Sequence, residues 1–382
     1  MRDRVRRRHV LLGGVAWLMA LAAAGSSPAA EKPAPPLFLL PSAGVAIPQH
    51  SFVFTPSYVA VHEKFVEEEG VRFSYHLLPG VETVTALVEE RIDLAHLPGT
   101  ELLLAASLGA PLVAVAQTSD KLSYEVVLRR GREEEQREAR DLPLAQRLAL
   151  LRAALSRAPA LAISRANATD HLLLLHLARR LGRAAPAVAD GREGGGRNRV
   201  DDERGRAAPS ASPLFVAPGG QAEQLRAMRD GLADGFAQAP PLSTIAAREG
   251  YGSILLSGPR GDFAELSPFA DAVLVAQAQR LDSARSTLRR VLRGYAKTLR
   301  FLRTAQGRTA ALASLQRIFA KLPAEVIAEA YDALRPVFAA DGAVDPTALQ
   351  QAQRLMLEAG LLREPLDLGV LVRAELLENE AR

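Results

Sequence analysis

The ten residues Arg91–Thr100, with the sequence RIDLAHLPGT, decide the fold prediction for this chain. Ile92–Leu97 is a short apolar run, which predicts a buried strand. A helical pattern precedes it in Val81–Glu90, and a second one follows in Thr100–Leu108. Strands that are apolar on both faces and alternate with helices are typical of a mainly parallel sheet covered by helices on both sides. We therefore expect an α/β fold.

The same layout occurs a second time further along the chain. Asp93 opens its strand after a Pro-Gly turn and a helix, and Asp234 opens another apolar strand after a second Pro-Gly turn and helix. Two such units predict two similar α/β lobes that face each other, although any two βαβ units share this outline. We expect Asp93 and Asp234 to have structural roles at the strand starts.

The alternation extends over most of the chain and suggests its division into lobes. Further strands are predicted at Leu37–Leu40, Val71–Leu78, Pro111–Gln117, Tyr124–Arg129, Ala160–Ser164, Pro186–Ala189, Leu214–Ala217, Ala233–Gln238 and Ser253–Leu256. We expect a first lobe over residues 37–130, a second lobe over 140–256, and a return to the first lobe with C-terminal helices over 257–382. Within the second lobe, residues 190–212 are rich in Gly, Arg and acidic side chains and predict a mobile insertion.

Composition excludes several classes of protein. The chain has 382 residues, with 48% hydrophobic and 24% charged side chains, which is an ordinary globular composition. It contains no cysteine, which excludes disulfides, thiolate metal sites and a cysteine nucleophile. The net charge of +4 resides in the first nine residues, which hold five Arg and one Asp, while the rest has 42 basic and 42 acidic side chains. We therefore expect no nucleic-acid binding.

The N-terminus has the pattern of an export signal. Arg-rich residues 1–9 precede the apolar run Val10–Ala24 and a stretch of small residues. The apolar run is shorter than the roughly 20 residues that a membrane-spanning helix needs. We expect residues 1–30 to be a signal peptide, weakly similar to a twin-arginine signal, and the folded chain to be periplasmic. An uncleaved membrane anchor is the alternative.

Two facing lobes of this kind place their ligand in the cleft between them. In open α/β sheets the ligand lies beyond the carboxyl ends of the strands, where helix N-termini favour an anion or a hydrogen-bond acceptor. The predicted helix starts at 99–100 and 167–170 are polar and would face this cleft. The sequence therefore predicts a small polar or anionic solute.

Short segments in a fixed order carry a family resemblance. They are Ser57–Ala60, Phe65, Glu69–Val71, Ala86–Leu87, Arg91–Ala95, Leu108–Val113, Ala162–Ser164 and Asn167–Thr169, followed by the C-terminal helical pattern from Leu288 to Gly342. In their order and spacing they resemble the periplasmic substrate-binding proteins of the ABC importers for nitrate, sulfonate, taurine and thiamine precursors. The likeness spans roughly residues 40–378.

This resemblance implies a two-lobed type II periplasmic-binding-protein fold with a helical C-terminal tail. It implies hinge closure over a small solute, no chemistry on that solute, and its delivery to an ABC permease in the membrane. The solutes implied are sulfonates, nitrate, taurine or thiamine-pyrimidine precursors. We expect a monomer that needs no cofactor.

Eleven residues at predicted strand ends and helix starts are candidate ligand contacts: Ser51, Phe52, Tyr58, His96, Gly99, Thr100, Ser164, Asn167, Ala168, Thr169 and Gln238. Three of them also have structural explanations. Tyr58 fits a half-buried helix residue, His96 a hydrogen-bonded loop histidine and Thr100 a helix N-cap. The seven histidines show no metal-binding spacing, so no metal site is expected.

Two alternatives to an importer component remain. A ligand sensor would present its closed form to a membrane receptor instead of a permease, and the sequence does not separate these roles. A pyrimidine-synthesis enzyme shares the fold, but its group relies on cysteine-containing motifs that this chain lacks. No nucleophilic, phosphate-binding or paired-carboxylate motif rises above chance, and we expect no catalytic residues.

Overall fold

The computed structural model describes residues 40–130, 139–157, 159–183, 187–189 and 214–378. The expected signal peptide and the expected insertion at 190–212 lie outside these residues. From Leu40 onward the chain forms one unit with two β-sheets. None of the helices in the described ranges is both long enough and apolar enough to span a bilayer.

The described strands are β1 (Ser42–Ile47), β2 (Arg72–Leu77), β3 (Leu94–Leu97), β4 (Leu112–Ser119), β5 (Glu125–Arg129), β6 (Ala160–Ala162), β7 (Ala187–Ala189), β8 (Leu214–Val216), β9 (Gly235–Gln238), β10 (Gly252–Ser257) and β11 (Ala272–Gln277). The described helices are α1 (Thr55–His62), α2 (Phe65–Glu68), α3 (Glu82–Val88), α4 (Gly99–Ser107), α5 (Leu144–Leu155), α6 (Thr169–Arg180), α7 (Gln221–Arg229), α8 (Leu242–Arg248), α9 (Arg285–Leu302), α10 (Ala305–Ile318), α11 (Ala324–Leu334), α12 (Pro346–Glu358), α13 (Leu368–Leu371) and α14 (Glu375–Glu378).

The two sheets define two lobes. The first sheet has the order β2-β1-β3-β11-β4, in which β11 is antiparallel to both of its neighbours. The second has the order β10-β5-β9-β6-β8-β7, and its β9-β6-β8-β7 part is parallel. The chain passes from the first sheet to the second at residues 120–124 and returns at 258–271.

Three elements differ from the sequence-based prediction. The first described strand is Ser42–Ile47, and Leu40, the one described residue of the predicted strand, lies in a bend. Strand β5 pairs with β9 and β10 of the second sheet, although the predicted boundary at residue 130 assigned it to the first lobe. Strand β11 was not predicted, because it joins the first sheet without the helix that precedes most other strands.

The repeated layout in the sequence has a physical basis in the two sheets. Asp93 precedes β3 and accepts a hydrogen bond from the Gly44 backbone N–H of β1 at 2.9 Å. Asp234 precedes β9 and accepts one from the Ala160 N–H of β6 at 3.0 Å. Each aspartate thus links the starts of two neighbouring parallel strands. Their expected structural roles are confirmed.

The C-terminal helices cover the first sheet and reach the second lobe. Helix α9 buries an apolar stripe whose residues repeat every three or four positions, as expected for an amphipathic helix against a sheet: Leu288, Val291, Leu292, Tyr295 and Leu299. Helix α12 contacts α4 in the first lobe and α6 in the second, and α11 contacts α8. The tail therefore connects both lobes behind the cleft.

A buried ion pair fixes the second crossing to the second lobe. The Arg147 guanidinium of α5 donates to the Asp262 carboxylate and to the Leu255 carbonyl oxygen. Only 9% of the Arg147 side chain and 8% of the Asp262 side chain are exposed. Burial alone would raise the pKa of Asp262, but hydrogen bonds from Arg147 and from the Ser257 N–H lower it overall. The pair is therefore ionised and almost fully desolvated.

The substitution Arg147→Ala is expected to lower the free energy of unfolding by about 3–5 kcal/mol, because it leaves the Asp262 charge buried without its partner. Urea denaturation followed by circular dichroism measures this loss. The matched control is Arg91→Ala, since Arg91 pairs with the exposed Glu82 and Glu89. The control should leave the midpoint unchanged, and equal losses in both variants would contradict the importance of burial.

Candidate functional site

A cavity of about 450 Å³ is bordered by segments of both lobes and of both crossings. This volume falls in the range of small-molecule sites. The lining residues are Pro48, Gln49, His50, Ser51, Val53 and Phe54 after β1; Leu77, Pro79 and Gly80 at the end of β2; Pro98 and Glu101 at the start of α4; Ser123 and Tyr124 of the first crossing; Ser164, Arg165, Ala168 and Thr169 at the start of α6; Gly219, Gly220 and Gln221 at the start of α7; Gln238 and Ala239 at the end of β9; and Asp271 of the second crossing.

Two helix starts meet across this cavity. Helix α4 follows the carboxyl end of β3 in the first lobe, and α6 follows that of β6 in the second. The Thr100 and Thr169 hydroxyl oxygens lie 2.8 Å apart and share a buried hydrogen bond. Next to them, the Arg165 guanidinium and the Glu101 carboxylate form an ion pair at 2.5 Å. These contacts hold the lobes together at the cleft.

Asp271 is a buried carboxyl group where the two crossings meet. Its residue is only 4% exposed, and Ser123 donates hydrogen bonds to it from the backbone N–H and the hydroxyl. Burial raises the pKa of Asp271 to about 7, although the Ser123 hydrogen bonds lower it in part. The Oδ1 atom of Asp271 is buried and accepts no hydrogen bond. The carboxyl group therefore has unused acceptor capacity.

Asp170 is a second buried carboxyl group, and its oxygens are fully used. They accept hydrogen bonds from the Ser164 N–H at 2.5 Å and hydroxyl at 2.9 Å, from the His171 N–H at 2.9 Å, and from the Gln238 amide at 3.1 Å. Burial raises the pKa of Asp170 to about 6, against the lowering effect of the bonds from Ser164 and His171. Asp170 thus orients Ser164 and Gln238, which line the cavity.

Tyr124 lines the cavity with Asp271, and its phenol is influenced by both acids. Burial raises the pKa of its phenol well above the usual value, and the charges of Asp271 and Asp170 raise it further. A hydrogen bond to Thr169 acts in the opposite direction. The phenol therefore stays protonated.

Solved structures of solute-binding proteins have this arrangement of two lobes. The aliphatic sulphonate binding protein SsuA from Escherichia coli has 17% identity and a TM-score of 0.62, with 87% of this chain and 92% of that chain covered. The nitrate-binding protein NrtA from Synechocystis PCC 6803 has 13% identity and a TM-score of 0.64, with 88% and 87% covered. A zinc-bound ligand-binding component of an ABC-type import system from Staphylococcus aureus has 15% identity and a TM-score of 0.62, with 90% and 99% covered.

The chain has the two-lobed type II periplasmic-binding-protein fold. No family model matches the chain, and no curated protein matches it. At these low identities the similarity establishes the fold, and it does not identify the solute.

Within this periplasmic-binding-protein fold, five of the eleven sequence-based candidates line the cavity: Ser51, Ser164, Ala168, Thr169 and Gln238. Two further candidates, Thr100 and Tyr58, form hydrogen bonds to lining residues. Thr100 bonds to Thr169, and the Tyr58 hydroxyl accepts a hydrogen bond from the Ser51 N–H at 3.1 Å while Tyr58 itself is fully buried.

The other four candidates lie away from the cavity lining. Phe52 packs against Phe319 with ring centroids 4.8 Å apart. His96 is fully buried, and burial lowers its pKa to about 3, which makes it a neutral core residue. Gly99 packs on the second crossing, where a Cβ would come within 2.4 Å of the Ala270 carbonyl oxygen. Asn167 is exposed with φ 68° at the turn before α6.

Sequence reasoning missed the lining residues of the crossings: Ser123, Tyr124 and Asp271. It also missed His50, Glu101 and Arg165, which lie beside residues that it did select. A signal existed for Asp271, since a single acid directly precedes the apolar run AVLVA of β11. Among the described residues, no three His, Asp or Glu side chains cluster closely enough to hold a metal ion.

The hydrogen bond between Thr100 and Thr169 is testable by a double-mutant cycle. Thr100→Val and Thr169→Val each remove one hydroxyl at nearly constant volume, and the double variant should show a coupling of about 0.5–1.5 kcal/mol in the free energy of unfolding. Urea denaturation of the four proteins measures it. As a control, Thr100→Val combined with Thr309→Val on the distant exposed face of α10 should be additive. Additivity in both cycles would contradict the contact between the lobes.

Proposed function

We propose that this protein is the extracytoplasmic substrate-binding component of an ABC importer. It captures a small polar solute between its lobes by hinge closure and delivers it to a permease in the membrane. The observation that carries this proposal is the cavity itself, because its walls come from both lobes and its floor comes from both crossings. A solute in this cavity contacts both lobes, which move relative to each other when a two-lobed protein of this kind opens.

Contacts between the solute and both lobes would favour hinge closure energetically. A ligand shifts a two-state equilibrium only by its difference in affinity for the two states. A solute that touches Ser51 in the first lobe and Gln238 in the second gains both sets of contacts only in the closed state. The bonds of Thr100 to Thr169 and of Glu101 to Arg165 add stabilisation to the same state.

Binding without chemistry is part of the proposal. Ser57 and His96 form a pair with an oxygen–nitrogen distance of 2.8 Å, which resembles a nucleophile and its base. Both are fully buried, and neither lines the cavity. The low pKa of His96 also makes it a poor base near neutral pH. The similar solved structures named above are binding proteins, which supports the same conclusion.

Solute capture should be visible as stabilisation and compaction. We expect a water-soluble metabolite extract of yeast to raise the melting temperature, because a ligand at 100 times its Kd stabilises the native state by about 2.7 kcal/mol. Small-angle X-ray scattering should show a smaller radius of gyration with the same extract. Lysozyme in parallel samples controls for general effects of the extract. No change in either measurement would contradict solute binding.

Import should depend on this protein in the cell that makes it. Deleting its gene is expected to abolish high-affinity uptake of the solute recovered from the purified protein, and restoring the gene should recover uptake. Mass spectrometry identifies the solute, and uptake of its labelled form is then measured. Unchanged uptake would contradict the importer role while leaving solute binding intact.

The N-terminal sequence pattern supports the proposal that the chain is exported. We also propose that the protein functions as a monomer. The protein recovered from the periplasmic fraction should lack about the first 30 residues by intact-mass measurement. Replacing Arg7 and Arg8 with Lys should block export if the twin-arginine route is used, whereas Lys replacement of Arg2 and Arg4 is the matched control. Recovery of the full-length chain in the membrane fraction would instead indicate an anchor.

A further inference from the structure

Three polar side chains that line the cavity present hydrogen-bond acceptors: Ser164, Gln238 and Asp271. Ser164 and Gln238 direct donor groups to the Asp170 carboxylate, which leaves their remaining oxygen lone pairs for a solute. Asp271 adds a carboxyl group whose Oδ1 has no partner although the residue is 96% buried. These three acceptors are complementary to a solute that carries N–H donors.

Two of the helix N-termini at the cavity, those of α4 and α6, are compensated by carboxylates of the chain itself. Glu101 lies in the first turn of α4, and Asp170 lies in the first turn of α6. A carboxylate in the first turn compensates the positive end of the helix dipole. Asp170 also accepts from the His171 N–H, which is one of the free donors at the start of α6. These two helix starts therefore offer little to an anionic solute.

The balance of charge around the cavity is negative. The lining includes one arginine, Arg165, and its guanidinium is paired with Glu101 across the cleft. Asp271 has no such partner: burial and the Ser123 hydrogen bonds are the influences on its carboxyl group. A desolvated carboxyl group without a cation is costly for the protein. A cationic solute would supply the missing partner.

We propose that the cavity binds a small cationic solute, namely a protonated amine, guanidinium or amidinium compound, through the carboxylate of Asp271. This inference rests on the proposed solute-binding function and names the class of solute for the same cavity. It replaces the anionic solutes that the helix starts suggested from sequence. Asp271 also belongs to the second crossing, so a cation bound there contacts the segment on which the lobes move.

The experiment separates the charge classes of a complex mixture. The metabolite extract of yeast is divided by ion exchange into cationic, neutral and anionic fractions, and each fraction is tested for its effect on the melting temperature at pH 8. The proteins compared are the unmodified protein, Asp271→Asn, and the control Asp282→Asn. Asp282 is 97% exposed at its side chain and undergoes the same loss of charge far from the cavity lining.

We expect the cationic fraction to raise the melting temperature of the unmodified protein and of Asp282→Asn, and to have no effect on Asp271→Asn. Loss of a buried charge partner typically weakens binding by at least about 30-fold. Stabilisation by the neutral or anionic fraction alone would overturn the proposed solute class and leave solute binding standing. If no fraction stabilises the protein, the binding function itself fails. Equal stabilisation of Asp271→Asn by the cationic fraction would overturn the role of Asp271.

A measurement without any solute distinguishes a binding role of Asp271 from a structural one. At pH 8 the carboxylate is charged and unpaired, so Asp271→Asn should raise the melting temperature of the solute-free protein by a few degrees. A structural aspartate would lower it on replacement. The variant Glu101→Gln gives a second readout, because freeing Arg165 should weaken the effect of the cationic fraction. A lower melting temperature for Asp271→Asn together with an undiminished effect for Glu101→Gln would overturn the proposal.

Discussion

The pairing of the two segments that cross between the lobes is the constraint on which the rest of the structure depends. The Gly258 N–H donates to the Tyr124 carbonyl oxygen at 2.9 Å, and the Phe269 N–H donates to the Asp120 carbonyl oxygen at 2.9 Å. At Gly258 a Cβ would lie 2.1 Å from the Leu122 carbonyl oxygen, so only glycine permits this close approach. The two crossings therefore form a short hydrogen-bonded ribbon between the lobes.

Residues of the same ribbon line the cavity. Ser123 and Tyr124 belong to one crossing and Asp271 to the other, and Ser123 donates to Asp271 between them. The cation that we propose at Asp271 would therefore act on both crossings at once. The hydrogen bond between Thr100 and Thr169, in contrast, connects only the facing helix starts of the lobes.

The two buried aspartates show how one residue type performs different tasks. Asp170 receives four hydrogen bonds from three residues, which satisfies its oxygens and holds the turn before α6 in place. Asp271 receives hydrogen bonds from Ser123 alone and retains an oxygen without a partner. Burial raises the pKa of both groups, so each costs stability near neutral pH. The hydrogen bonds of Asp170 order the turn before α6. Asp271 would gain a comparable partner only from the proposed cationic solute.

Local sequence patterns determined the alternation of strands and helices, the two-lobed α/β architecture, and the strand starts at Asp93 and Asp234. Such features depend on periodicity and on nearby turns, which a sequence displays directly. The tertiary structure alone decided the pairing of β5 and β11 with their sheets and the meeting of Ser123 with Asp271, because these contacts join residues far apart in the chain. It also decided the character of the cavity. Whether a helix start is open to an anion depends on which carboxylates fold back onto it, and no spacing in the sequence reveals that.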